Sequence, residues 1–286
     1  LFLTMSSKMF DISVSGIYTD LMRKFLKEGN EIYIVAPYER RNGFKTTLKS
    51  DNGIHTLNVK TLNVTKTNII EKGIGQLLLE YQFRKAIKKY LSNVRFDLIL
   101  YSTPPITFTK VIKAAKKQNP NAVTYLLLKD IFLQNALDIN TLIKTGLKGI
   151  LYRFFPNKEK ELYKISDYIG CMSPANVQYI IKHNPEVNPE IVEIAPNSYE
   201  PVLEQDVNAE ESEAIRKKYS LPMRKPIFIY GGKLGKPQGI SFLMIECVNA
   251  NKDREDCHFV VVGDGTEYPK LESWIKKEKP KSIVCY

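Results

Sequence analysis

The chain has 286 residues and a mass of 32.8 kDa, beyond the length at which single hydrophobic cores usually stop growing, so two domains are expected. Its 43% hydrophobic and 26% charged residues exclude the disordered and fibrous classes. Of the net charge of +11, residues 1–200 carry +10, with 28 Lys and Arg against 18 Asp and Glu, while residues 201–286 hold 14 against 13. Such a field attracts nucleic acid, anionic lipid or a phosphorylated substrate without choosing among them.

The chain opens in a strand, "LFLTM", with no initiating methionine, and a few upstream residues are expected. "SVSG" leads into "IYTDLMRKFLKEG", where Ile17, Leu21, Met22 and Phe25 recur at helical spacing and Gly29 supplies a stop. "EIYIVAP" follows as a short apolar strand, completing a strand, helix, strand unit of a parallel sheet. The alternation continues with "IHTLNVKTL" as strand, "IGQLLLEYQFRKAIKKYL" as helix, "DLILYST" as buried strand, "PITFTKVIKAAKKQ" as helix and "AVTYLLLKD" as strand. After two more helical patterns come the strand "DYIGCMS", an N-cap and proline pair at Ser173 and Pro174, and the closing strand "EIVEIAPNS".

Residues 199–226 are charged and rich in proline and read as a linker with one short helix. The pattern then restarts: "IFIYGG" strand, "PQGISFLMIECVNAN" helix, "CHFVVVGDG" strand, "TEYPKLESWIKKE" helix, "SIVCY" strand. The expected organisation is an α/β chain with a Rossmann-like domain over 1–198, a linker over 199–226 and the first part of a second Rossmann-like domain over 227–286.

No apolar run approaches the roughly 18 to 20 residues of a membrane span, and no signal-peptide pattern occurs, so a cytoplasmic location is expected. Cys171, Cys247, Cys257 and Cys285 lack paired spacing, and His55, His183 and His258 are scattered; neither zinc, a disulfide framework nor a catalytic triad is indicated.

In open parallel sheets, ligands bind at the carboxyl ends of strands, which directs attention to the loops there. "GGKLGKPQG" fails the P-loop, because Pro237 follows Lys236, and fails the dinucleotide fingerprint on glycine spacing. Its glycines Gly232 and Gly239 still permit close backbone approach, and Lys233 and Lys236 add two charges; the chain thus offers either a phosphate cradle or a tight turn with solvated lysines. "VVVGDGTE" adds Gly263, Asp264 and Gly265, a second glycine turn that reads either as purely structural or as a site whose acid would repel phosphate but accept from a hydroxyl or base edge. "LLLKDIF" sets Lys129 and Asp130 at the end of a buried strand, either orienting a substrate or forming a surface ion pair. The basic, aromatic stretch 144–164 suits either an interfacial helix on an anionic leaflet or a core helix.

In order and spacing, "SGIYTDLMRKFLKEGNEIYIVAP", "FDLILYSTPPITF", "TYLLLKDIFLQNA", "KISDYIGCMSPANVQYI", "IAPNSYEP", "YGGKLGKPQGI" and "VVVGDGTEYPKLESWI" together resemble the glycosyltransferase family 4 sugar transferases of GT-B fold that serve bacterial capsule and O-antigen assembly. The resemblance implies metal-independent, retaining transfer from a nucleotide sugar, a uridine-linked amino sugar, bound mainly on the second domain. The acceptor, lipid-linked or glycan, is expected mainly on the first domain, with reaction in the cleft between. It implies donor-binding roles for Gly16, Gly232, Lys233, Lys236, Gln238, Gly239, Gly263, Asp264 and Gly265, and places Lys129 and Asp130 near the acceptor or sugar. Gln238 stands where many relatives carry Lys, and the chain stops before the family's paired glutamates, so an incomplete catalytic unit is expected. The basic first domain implies peripheral contact with an anionic membrane at the inner face of the plasma membrane. A nucleotide-sugar epimerase and an inactive binding remnant are the competing readings; nucleic-acid binding is disfavoured by the absence of an aromatic stacking module.

Overall fold

The computed structural model describes residues 1–6, 9, 11–64, 67–103, 105–131, 147–201, 208–281 and 283–285. The chain divides into two compact units, Leu1–Glu200 and Pro201–Tyr286.

In the first unit an eight-stranded sheet runs β3-β4-β2-β1-β5-β6-β7-β8. Its strands are β1 (Phe2–Leu3), β2 (Ile32–Glu39), β3 (Thr47–Asp51), β4 (Ile54–Thr61), β5 (Leu98–Ser102), β6 (Val123–Leu128), β7 (Tyr168–Cys171) and β8 (Val192–Ile194). All pairs are parallel except β3 with β4, a hairpin that periodicity does not predict because "TLKSD" is almost wholly polar. The local signal is Asn52-Gly53: both residues take positive φ, 44° and 82°, as a two-residue hairpin turn requires.

Alternation across the strands builds two cores. Phe2, Ile34, Ala36, Leu100 and Leu127 point to one face, where Met22 of α1 (Ile17–Lys27) closes over them. Leu3, Val35, Leu57, Ile99, Tyr101, Leu126 and Ile169 point to the other. There they meet Leu79, Phe83 and Ile87 of α2 (Ile69–Tyr90), Val111 and Ile112 of α3 (Thr109–Gln118), Leu162 of α4 (Leu147–Lys164) and Ile180 of α5 (Pro174–His183). Helix α1 ends at Gly29 (φ 80°), and α5 opens on Ser173, whose hydroxyl accepts from the Asn176 amide with Pro174 at the first turn. Of the basic stretch 144–164, residues 144–146 and the side chains of 147–155 lie outside the described part; Leu162 and Tyr163 are core residues.

The second unit holds α6 (Ala209–Lys218) and a parallel three-stranded sheet, β11-β10-β9, of β9 (Ile227–Gly231), β10 (His258–Val262) and β11 (Ile283–Cys285). Leu234, Ile240, Val248, Val261, Leu271 and Ile283 form its core, with Leu271 supplied by α8 (Tyr268–Glu278). The continuous helix expected from Pro237 to Asn251 is corrected by the structure. A 3₁₀ turn (Lys236–Gln238) ends at left-handed Gly239 (φ 65°), and a short α-turn α7 (Ile240–Phe242) passes into a π-helical run (Leu243–Val248) and a 3₁₀ turn (Asn249–Asn251). Pro237 has no amide to donate, and the left-handed glycine breaks the ladder, so the helix starts only at Ile240.

Candidate functional site

In the first unit β1 and β5 are neighbours, and the connection after β1 leads to β2 on one side while that after β5 leads to β6 on the other, so the carboxyl ends of β1 and β5 flank a topological switch point. The loop that leads from β1 ends at Gly16, the N-cap of α1. Gly16 is held rather than free: its amide donates to Asp20 Oδ1 (2.8 Å) while its carbonyl accepts from the Asp20 amide (2.8 Å) and the Thr19 hydroxyl (2.9 Å). Its φ of 172° is ordinary extended backbone, and an added Cβ would meet Thr19 Oγ1 at 3.2 Å, so it is closeness rather than handedness that favours glycine.

Asp20 has a second task. Its Oδ2 accepts from the Glu200 amide (2.7 Å), and Arg23 Nη2 lies 2.6 Å from Oδ1 and 3.1 Å from Glu200 Oε2. Lys27 completes the cluster at 2.8 Å from Glu200 Oε1. The amides of Gly16 and Glu200, and then the Arg23 charge, hold this carboxyl down at about 2. The strap 195–200 that leaves β8 is thereby pinned across α1.

Lys129 and Asp130 follow β6 on the same side of the sheet. Their bend is organised by buried Thr103, whose hydroxyl accepts from the Lys129 amide (3.2 Å) and donates to the Asp130 carbonyl (3.2 Å). Tyr18, one residue into α1, joins the two halves: burial pushes its phenol up, a hydrogen bond to Ser102 opposes this, and the charge of Asp130 adds to the rise. Lys129 lines a cavity of about 260 Å³ with Ile17, Tyr18, Leu127, Asn197 and Ser198. Burial pushes its ammonium down, its Nζ is 3.5 Å from the Ala195 carbonyl, and among the described residues no carboxylate lies within ion-pairing distance of it. A half-buried ammonium without a counter-charge is suited to an anionic or polar ligand. Gly16, Lys129 and Asp130 therefore converge, through Tyr18, Ser102 and Thr103.

In the second unit two loops follow β9 and β10 and interlock through backbone. The Gly232 amide donates to the Val262 carbonyl (3.0 Å), the Leu234 amide to the Asp264 carbonyl (3.0 Å), and the Glu267 amide to the Leu234 carbonyl (2.9 Å). A Cβ on Gly263 would stand 1.9 Å from the Gly232 oxygen, and one on Gly265 2.2 Å from the Leu234 oxygen. These two glycines are required by the contact between loops, whatever either loop binds. Leu234 is wholly buried at the junction. Lys233 and Lys236 stand exposed on either side of it, and among the described residues neither has a carboxylate partner. The Tyr230 hydroxyl braces the loop by donating to the Lys233 carbonyl (2.9 Å). Gln238 closes over Gly235, where a Cβ would lie 2.8 Å from Gln238 Oε1, and Asp264 is exposed.

Sucrose-phosphate synthase from Thermosynechococcus elongatus is similar in structure over 100% of this chain and 69% of its own, at 13% identity and a TM-score of 0.67. The fold is of GT-B type. A trehalose-6-phosphate structure from E. coli bound with UDP-2-fluoro glucose matches 99% of this chain and 72% of its own, at 7% identity and a TM-score of 0.63. Anabaena HepE in complex with UDP matches 99% and 68%, at 13% identity and a TM-score of 0.57. No protein-family model matches the chain, and no curated protein matches it in sequence.

Sequence reasoning missed Asp20, Arg23, Thr103, Glu200 and Leu234. Asp20 had a signal, an acid four residues after Gly16 in "SGIYTD", at the spacing that returns a carboxylate to the cap. Glu200 had none, since its partners lie more than 170 positions away. Among the described residues no group of three His, Cys, Asp or Glu could hold a metal ion, and no helix is long and apolar enough to cross a membrane.

Proposed function

We propose that the chain is a retaining glycosyltransferase that moves a sugar from a nucleotide-sugar donor to a lipid-linked or glycan acceptor in polysaccharide assembly. The GT-B fold supports this reading, as do structural neighbours whose names include a sucrose-phosphate synthase and complexes with UDP and UDP-2-fluoro glucose. The observation that carries it is the interlocked loop pair after β9 and β10, which fixes two exposed lysines without acid partners at the carboxyl end of a parallel sheet. Anionic diphosphate fits there: as the bond between the anomeric carbon and the diphosphate breaks, the departing charge is met by Lys233 and Lys236, already in place. The two cations supply countercharge without a metal, so transfer should persist in excess chelator. Asp264 and Gln238 are assigned to hydroxyl or base contacts of the donor, and Lys129 and Asp130 to the acceptor or transferred sugar. A uridine-linked amino sugar is the proposed donor, and the inner face of the plasma membrane the proposed place of work.

Titration calorimetry with UDP and UDP-N-acetylhexosamine tests the donor site. Lys233→Ala and Lys236→Ala are each expected to weaken binding about tenfold, the usual size of a charge-assisted contact. Undiminished affinity in both variants would remove the loop from the donor site, and inversion of the anomeric centre in the product would refute retention.

A further inference from the structure

The outward stripe of α2 changes character half-way along. Ile74, Leu77, Leu78 and Tyr81 recur at helical spacing on its solvent side, with Leu77 75% and Tyr81 59% exposed. One turn further the same stripe carries exposed Arg84, Lys85 and Lys88. The inward side already supplies Leu79, Phe83 and Ile87 to the core, so the outward apolar residues are not needed for packing. Single exposed apolar side chains are ordinary on a protein surface, whereas four adjoining ones over two turns mark an interaction site.

Beside this patch lies a groove of about 700 Å³ between α2 and α3, lined by Tyr81, Arg84, Lys85, Lys88 and Lys117. Two other lysines of α3 are neutralised: Lys113 lies 2.5 Å from Glu161 and Lys116 3.0 Å from Asp167. The cations of the groove are not, since among the described residues no carboxylate is within ion-pairing distance of them. Glu80, the one acid in this part of α2, turns to α3 and accepts from the Lys110 amide (2.8 Å). The outcome is an apolar tip bordered by uncompensated positive charge.

We propose that this α2–α3 face docks the first unit onto an anionic lipid bilayer, the apolar tip entering the interface and the groove cations meeting lipid phosphates. A sheet of anionic headgroups over an apolar interior matches both halves of the patch at once. Pairing with a second copy through the same face would bring two unscreened basic rims together. The inference rests on the lipid-linked acceptor reading only for its purpose, because vesicle binding requires no sugar transfer.

Co-sedimentation with large vesicles of phosphatidylcholine, alone or with about one third phosphatidylglycerol, tests it. Binding is expected only to the anionic vesicles and should fall as salt is raised. The triple variant Arg84→Ala, Lys85→Ala, Lys88→Ala should lose about 100-fold in partitioning. Leu77→Ser with Leu78→Ser should also weaken it, with an unchanged circular dichroism spectrum. Removing equal charge elsewhere, with Lys217→Ala, Lys218→Ala and Lys276→Ala, should leave it intact. UDP affinity measured on each variant separates failure of this surface from failure of the donor site. Equal binding to neutral and anionic vesicles, a triple variant that partitions like the parent, or saturable inorganic phosphate binding without vesicle binding would overturn the proposal. So would a dimer that Leu77→Ser with Leu78→Ser abolishes in a protein that ignores vesicles.

Discussion

The two units shape their loops by different means. At the end of the first unit's sheet the backbone is held by side chains: Asp20 fastens Gly16 and Glu200, and Thr103 fastens Lys129 and Asp130. In the second unit it is held by backbone: two glycine loops exchange amide bonds so closely that a Cβ at Gly263 or Gly265 has no room. A site built from side chains can be altered one hydrogen bond at a time and depends on ionisation. A site built from backbone contact is indifferent to side-chain chemistry but intolerant of a single methyl group.

The sharpest way to break this contrast is Gly263→Ala. Because the obstructing atom is a carbonyl oxygen of the backbone, the expected cost is at least ~3 kcal/mol, read from denaturant unfolding of the second unit. Gly231→Ala, where nothing lies within 4 Å of the added carbon, should stay within about 0.5 kcal/mol.

Asp20→Asn comes next and sharpens the ionic side of the comparison. The folded carboxyl sits at about 2, below its ordinary value of 3.8, so the stability it contributes is present above pH 4 and is lost as pH falls toward 2. Denaturation midpoints of parent and variant should therefore differ at neutral pH and converge at the acid end; parallel curves would deny the carboxylate this role. Thr103→Val should cost ~1–2 kcal/mol, because the Asp130 carbonyl loses its donor, while the Lys129 amide keeps only its bond to the Leu127 carbonyl. Smallest of all, Lys233→Ala should leave thermal unfolding unmoved while weakening UDP binding, since its side chain is exposed and its backbone is what the loop uses.

Much of the fold was legible because strands β2, β5, β6 and β10 are continuous apolar runs and α1 carries a regular stripe ended by Gly29. β3 was hidden because an exposed edge strand needs no apolar face, and the broken helix after Gly239 because composition does not reveal a left-handed glycine. At the candidate sites, Lys129, Lys233 and the glycines could be found from strand ends alone. The reason for the glycines could not: a turn was readable at Gly263 and Gly265, but not the neighbouring loop whose backbone oxygens fill the space beside them. Contacts across 177 positions, such as Arg23 with Glu200, leave no periodic trace.

Leu234 has a consequence for ligand affinity. A wholly buried residue between two exposed lysines fixes their Cα positions before any anion arrives, so the backbone ordering that a mobile glycine loop would undergo on binding has already taken place during folding. Only the two lysine side chains remain to be stilled, at about 0.5–1.5 kcal/mol each. For the donor site proposed above, Leu234→Ala should therefore weaken UDP binding although no side chain assigned to the donor is removed.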